Sequence, residues 1–173
     1  MSVGIDELFD MLSWNSDEET QKKGIELAKS VKCFSVFLQP RGLEHSKDVW
    51  ENCAKVLASH SDETLKCCLQ ELLEWLVDMN WPGAEITLQR LIKFEDSGFL
   101  SIFIEHGVKE ALVCDDQVWL GNMAALLENE ELKRHLPKDI YNTLYCRNTG
   151  ANTCLSGTQG TVLCVPHQKA DKS

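Results

Sequence analysis

Apolar residues recur at three- and four-residue intervals through most of the chain. The clearest run is LKCCLQELLEWLVDM, residues 65–79, whose apolar side chains fall on one face of a helix. Segments 5–12, 84–92 and 100–108 follow the same spacing. We find no convincing alternating strand pattern before residue 158. The pattern therefore predicts an all-α protein.

Hydroxyl side chains mark several predicted helix starts. Ser16 and Glu19 have the spacing of a capping box, in which each side chain binds a free backbone amide. Ser61 precedes the run at 65–79 and can cap it in the same way. Pro40 and Gly42 interrupt the chain between two helical segments.

A weak internal repeat relates four of the predicted helices. A tryptophan or threonine near the helix start is followed seven residues later by a leucine, in the pairs Thr20–Leu27, Trp50–Leu57, Trp81–Leu88 and Trp119–Leu126. The starts lie 30, 31 and 38 residues apart, which is the size of a helix pair in a solenoid. Because one pair cannot bury both its faces, such units stack and share a core. We expect a HEAT-like helical repeat of about four stacked pairs, with an irregular helical bundle as the alternative.

The helical pattern ends before the chain does. Residues 148–173 are rich in Gly, Ser, Thr and Asn and poor in large apolar side chains, a composition typical of flexible tails. We therefore expect a HEAT-like domain over residues 1–147 and a flexible tail over 148–173 that is dispensable for folding.

The net charge limits the classes of partner. The chain has 27 Asp and Glu against 17 Lys and Arg, a formal charge of −10. This excess repels nucleic acid and anionic membranes and favours a cationic partner, although it also simply promotes solubility. The N-terminus lacks the features of a signal peptide, and no segment is apolar enough to span a bilayer. We expect a cytoplasmic protein whose eight cysteines are thiols.

Residue spacings indicate neither catalysis nor metal binding. The five histidines are scattered, and no glycine-rich phosphate loop is present. Cys146, Cys154, Cys164 and His167 could supply four zinc ligands, but the gaps of seven, nine and two residues match no common zinc finger. We predict no catalytic residue, no metal and no cofactor.

The segment LLEWLVDMNWPGAEITLQRL, residues 72–91, resembles an uncharacterised bacterial domain family whose members share an E-W-L-x-D-M-N-W-P-x-A signature. The resemblance extends over residues 5–145. It implies a HEAT-like helical fold and no proven activity. Relatives resemble proteins encoded near bacterial toxin and immunity genes, which suggests an immunity role.

The signature residues have a structural interpretation. Asp78 and Asn80 can both cap a helix that begins at Trp81, and Pro82 suits the first turn of that helix. We expect Trp81 to pack back on the preceding helix. Gly83 is small enough to let two helices approach closely.

A binding interpretation uses the other face of the same helix. Glu71, Glu74 and Asp78 are spaced three and four residues apart, so we expect them to form one acidic stripe. Trp75 is predicted to lie at the border between this stripe and the apolar face. An aromatic ring beside carboxylates is a plausible binding site for an arginine or lysine of a partner. A solvated helix face is the alternative.

These observations predict a non-enzymatic protein-binding module, an immunity protein that neutralises a cationic toxin. Two alternatives stay open: an enzyme that takes a small molecule in a helical cleft, and a structural subunit of a larger assembly. The sequence does not indicate an oligomeric state.

Overall fold

The computed structural model describes residues 3–40 and 45–149, and this part of the chain contains helices and no strand. The all-α class is therefore confirmed. The first elements are α1 (Ile5–Leu12), α2 (Glu18–Ala28), a 3-10 turn (Phe34–Phe37) and α3 (Trp50–Ala58).

The segment predicted as one continuous helix over 65–79 is divided into short pieces. These are α4 (Asp62–Leu65), a 3-10 turn (Lys66–Cys68), α5 (Leu69–Glu74) and a second 3-10 turn (Trp75–Val77). The later elements are α6 (Ala84–Ile92), α7 (Ser97–Val113), α8 (Gln117–Ala124) with a 3-10 extension (Ala125–Glu128), α9 (Glu130–His135) and α10 (Lys138–Thr149).

Four helices that are distant in the chain pack in one row. Helix α2 contacts α3, α3 contacts α6, and α6 contacts the 3-10 extension of α8. Around them, α1 packs on α2, α5 on α7, and α10 on α8. The four predicted repeat pairs lie on or beside the helices of this row, where Leu57, Leu88 and Leu126 are buried. The recurring leucine is therefore a core position in three of the four pairs, and Leu27 is half-buried.

Asparagine side chains fasten neighbouring helices to one another. The Asn52 amide on α3 donates to the carbonyl oxygen of Leu12, the last residue of α1, at 2.8 Å. The Asn122 amide on α8 donates to the carbonyl oxygen of Leu76 at 2.7 Å. Since the last carbonyls of a helix have no partner within it, these bonds satisfy groups that would otherwise need water. Helix ends and helix packing are thus stabilised together.

The cap of α4 is confirmed and that of α2 is displaced. Ser61 accepts the backbone N–H of Thr64 at 3.3 Å. At α2 the capping residue is Asp17, whose carboxylate accepts the N–H of Thr20 at 3.0 Å. Ser16 donates its hydroxyl to the carbonyl oxygen of Asp10 at 2.8 Å. The predicted capping box is wrong by one residue because the end of α1 takes up the Ser16 hydroxyl.

The structure bears on two further expectations about the chain. Helix α10 continues to Thr149, two residues past the predicted domain boundary, and 150–173 lie outside the described residues. The expectation of thiols is confirmed for Cys33, Cys53, Cys67 and Cys68, which are free cysteines. Within the described residues, none of the helices has the length and hydropathy needed to cross a bilayer.

Candidate functional site

The predicted acidic stripe coincides with the end of α5 and the 3-10 turn that follows it. Trp75 is fully buried, at 0% exposure, and its indole N–H donates to the carbonyl oxygen of Pro82 at 3.1 Å. The expectation that Trp75 lies at the border of the apolar face is therefore wrong. A 3-10 turn advances by about 120° per residue where an α-helix advances by about 100°, so residues after Glu74 point elsewhere than regular helical spacing predicts.

The carboxylates of the stripe do not share one environment. Glu74 is 4% exposed and belongs to the buried residues, whereas Glu71 and Asp78 are half-buried. The structure therefore leaves Glu71 and Asp78 partly at the surface and places Glu74 and Trp75 beneath it. The role of the stripe in binding a partner stays a prediction, which now depends on the carboxylates of Glu71 and Asp78.

Asp78 organises a turn. One carboxylate oxygen accepts both the backbone N–H and the side-chain amide of Asn80, each at 2.9 Å. The carbonyl oxygen of Asp78 accepts the N–H of Trp81 at 3.0 Å. These bonds define an Asx turn. Helix α6 begins at Ala84 and has no side-chain cap, so the predicted start at Trp81 and the predicted capping by Asp78 and Asn80 are wrong. The reason is that the segment 81–83 continues the turn.

Gly83 confirms the predicted close approach. Its φ of +86° lies in the left-handed region, which glycine adopts without steric cost. A Cβ at this position would lie 2.5 Å from the Cβ of Ala54 and 3.1 Å from the carbonyl oxygen of Trp50. Two features therefore require glycine at position 83: the left-handed backbone conformation and the close contact with α3.

Trp81 joins the same contact. Its ring meets that of Trp50 edge-on, with centroids 5.8 Å apart and planes at 85°. Trp81 is half-buried, so the expected packing role is right, but its aromatic partner belongs to α3. Such a pair contributes about 0.5–1.5 kcal/mol beyond the burial of its area. Trp81 of the signature and the neighbouring Gly83 therefore form a joint between α3 and α6.

Comparison with known proteins places this joint within a family. A model for a domain of unknown function, DUF5071, matches residues 44–144, which is more than half of the chain. The chain belongs to the DUF5071 family. No curated protein and no solved structure matches it significantly.

The DUF5071 match confirms the expected membership of a family of unknown function, and the segment 72–91 lies within the matched residues. It covers the joint between α3 and α6 and begins later than the expected residue 5, so α1 and α2 lie outside it. In this chain α2 nevertheless packs on α3, the first helix of the DUF5071 segment.

Sequence reasoning missed a cleft at the edge of the DUF5071 segment. It lies between the α1–α2 turn and the residues that precede α3, and its volume is about 360 Å³. Its walls are formed by Phe9, Asp10, Ser13, Asn15, Ser16, His45, Ser46, Asp48 and Val49. The rings of Phe9 and His45 stack, with centroids 3.5 Å apart and planes at 11°. No regular spacing signals this cleft, because its walls come from two separate segments of the chain, 9–16 and 45–49.

Asp48 holds the two sides of the cleft together. The hydroxyl of Ser13 donates to its carboxylate, and the backbone N–H of Trp14 donates to its carbonyl oxygen at 2.9 Å. Partial burial raises the pKa of Asp48, but hydrogen bonds from Ser13 and Ser46 outweigh this effect and bring the pKa below its ordinary value of 3.8. Asp48 is therefore an anion at neutral pH.

Metal-binding groups are not a feature of the described part of the chain. Among residues 3–40 and 45–149, no group of three or more His, Cys, Asp or Glu side chains is placed to hold a metal ion. Of the four candidate zinc ligands, Cys154, Cys164 and His167 lie outside these residues.

Proposed function

We propose that this DUF5071 protein is a non-enzymatic protein-binding module that acts as a bacterial immunity protein by neutralising a cationic toxin. The observation that carries the proposal is the row formed by α2, α3, α6 and the extension of α8 in an acidic chain. A row of packed helices offers one continuous surface built from successive units.

The packing order supports a HEAT-like repeat. Each helix of the row follows a helix or a 3-10 turn that comes before it in the chain, as the second member of a stacked helix pair does. Trp50 and Trp81 occupy matching places in successive units and touch each other, and their units are fastened by the contact at Gly83. An array of this kind keeps its surface rigid, which lowers the entropic cost of binding a partner.

The charge supports a cationic partner. The formal charge of −10 produces a field that speeds association with a positively charged protein and opposes binding to nucleic acid. Within the predicted stripe, Glu71 and Asp78 offer the accessible carboxylates, while Glu74 and Trp75 are buried. We assign the direct contact to Glu71, since the carboxylate of Asp78 already holds the Asx turn.

The test is rescue from a toxin. The nearest toxin-like reading frame in the genome of origin is expressed with and without this protein. We expect the toxin to stop growth, co-expression to restore it, and the purified pair to bind with an affinity that falls as salt rises from about 50 to about 300 mM. Growth arrest that persists on co-expression, together with the absence of binding between the purified proteins, would reject the proposal.

A matched pair of variants tests the assigned surface. Glu71→Gln and Asp139→Asn each remove one negative charge, and Asp139 is exposed on α10, outside the row. We expect only Glu71→Gln to weaken the complex. If both variants bind the toxin with equal affinity, Glu71 is not part of the interface. The rescue experiment would still test the immunity function separately.

A further inference from the structure

Trp14 stands apart from the other tryptophans of the chain. Its side chain is 54% exposed, whereas Trp50, Trp75 and Trp119 are buried and Trp81 is half-buried. Exposing an indole to water forgoes the burial that stabilises the other four. Tryptophan is also the residue type most enriched among binding hot spots.

The exposed indole belongs to the turn that borders the cleft. Ser13 and Asn15, the neighbours of Trp14 in the chain, both line the cleft, and the backbone N–H of Trp14 donates to the carbonyl oxygen of Asp48. The backbone N–H of Asn15 in turn donates to the hydroxyl of Ser13 at 3.2 Å. The position of Trp14 is thus fixed by the hydrogen bonds that hold the cleft together.

The walls of the cleft suit a planar cation. Asp10 and Asp48 contribute two carboxylates, of which Asp10 is exposed at the mouth and Asp48 is half-buried. The Asn15 side chain adds an amide, and the stacked rings of Phe9 and His45 form a flat wall. A guanidinium group pairs with a carboxylate through two parallel hydrogen bonds and also stacks on aromatic faces. An ammonium group matches only the charge.

We propose that this cleft, with Trp14 at its border, receives an arginine side chain of a protein partner. The inference rests on the proposed function in that it assumes a cationic partner, and it adds a second contact outside the stripe at Glu71. Asp10 binds the guanidinium group, and the wall formed by Phe9 and His45 packs against it. Asp48 supplies negative charge from within while it holds the turn in place, and the exposed Trp14 meets the partner beside the cleft.

The probe is a capped tri-arginine peptide, titrated into the full-length protein and followed by NMR at the indole N–H of Trp14. The variant Trp14→Phe assigns this signal by its disappearance. A capped tri-citrulline peptide is the neutral isostere, and a tri-lysine peptide carries the same charge without the planar group. The indole signals of buried Trp75 and Trp119 report that each variant is folded.

We expect a saturable shift of the Trp14 signal with tri-arginine, a smaller one with tri-lysine and none with tri-citrulline. Asp10→Asn should weaken the tri-arginine affinity at least about fivefold, a loss of about 1 kcal/mol. Asp139→Asn removes an equal charge on α10, away from the cleft, and should leave the affinity unchanged. Equal weakening by both variants, equal shifts with tri-citrulline, or a Trp14 signal that does not saturate would each overturn the proposal.

The peptide titration tests the cleft independently of the toxin experiment. Binding of the peptide at Trp14 without rescue from a toxin would support the site and reject the immunity role. Rescue from a toxin by a protein whose cleft does not bind the peptide would support the function and reject the site.

Discussion

The indole N–H of Trp75 donates to the carbonyl oxygen of Pro82 at 3.1 Å, across a loop of six residues. This bond closes the turn that Asp78 organises at its centre. A buried side chain therefore sets the path by which the chain leaves α5 and enters α6. The two tryptophans of the signature stabilise this segment differently. Trp75 is buried and donates a hydrogen bond across the turn, whereas Trp81 packs the turn against α3.

The two tryptophans should contribute unequally to stability. Trp75→Ala deletes a fully buried ring and leaves the Pro82 carbonyl without its donor, so we expect a loss of ~3–5 kcal/mol in the free energy of unfolding. Trp81→Ala should cost less, because Trp81 is half-buried. The sequence alone predicts the opposite order. Urea denaturation of both variants measures the difference, and a larger loss for Trp81→Ala would contradict the burial described here.

Gly83→Ala should destabilise the protein strongly for a one-carbon change. The left-handed φ costs ~1–2 kcal/mol for a residue with a Cβ, and the clash with Ala54 adds to it. Gly121→Ala is the matched control, because a Cβ at Gly121 meets nothing within 4 Å and alanine favours the helix. Thermal melts of both variants provide the comparison. Similar melting temperatures for the two would show that the joint between α3 and α6 tolerates a side chain.

Asp48 should make stability depend on pH in the acid range. Its pKa in the folded protein is below the ordinary 3.8, so the stabilisation is present above that value and is lost as the pH falls through the lowered folded pKa. Asp48→Asn should therefore be less stable than the native protein at pH 7, and the gap should narrow as the pH falls below about 4. Urea denaturation of the native protein and of Asp48→Asn, at pH 7 and again below about pH 4, measures this difference in stability. A gap of constant size would mean that the Asp48 charge does not contribute.

Removal of residues 150–173 should leave the fold intact. The truncated chain should end at Thr149, because an end at Cys146 or Arg147 would cut the last turn of α10. We expect an unchanged helical circular dichroism spectrum and melting temperature, since the segment is poor in large apolar side chains. A melting temperature lowered by about 5 °C or more would show that the removed segment stabilises the helices by roughly 1 kcal/mol or more.

Local patterns determined the class of structure and several of its details. Apolar side chains at helical spacing predicted helices because such spacing creates one face to be buried, whatever covers it. Ser61 was identified as a cap because the bond to Thr64 spans three residues. The close approach at Gly83 followed from the absence of a side chain. Each of these inferences depends on residues that are near one another in the chain.

Tertiary structure decided which of the signature residues face water. Regular helical spacing places Glu74 on the acidic stripe and Trp75 at its border, but in the structure, where a 3-10 turn follows α5, both are buried. Likewise Ser13 and Asp48 form a hydrogen bond across 35 residues, and both residues line the cleft. Periodicity describes one helix at a time, whereas burial and clefts depend on which helices meet. Which helices meet depends on shape complementarity and hydrogen bonding across the whole core.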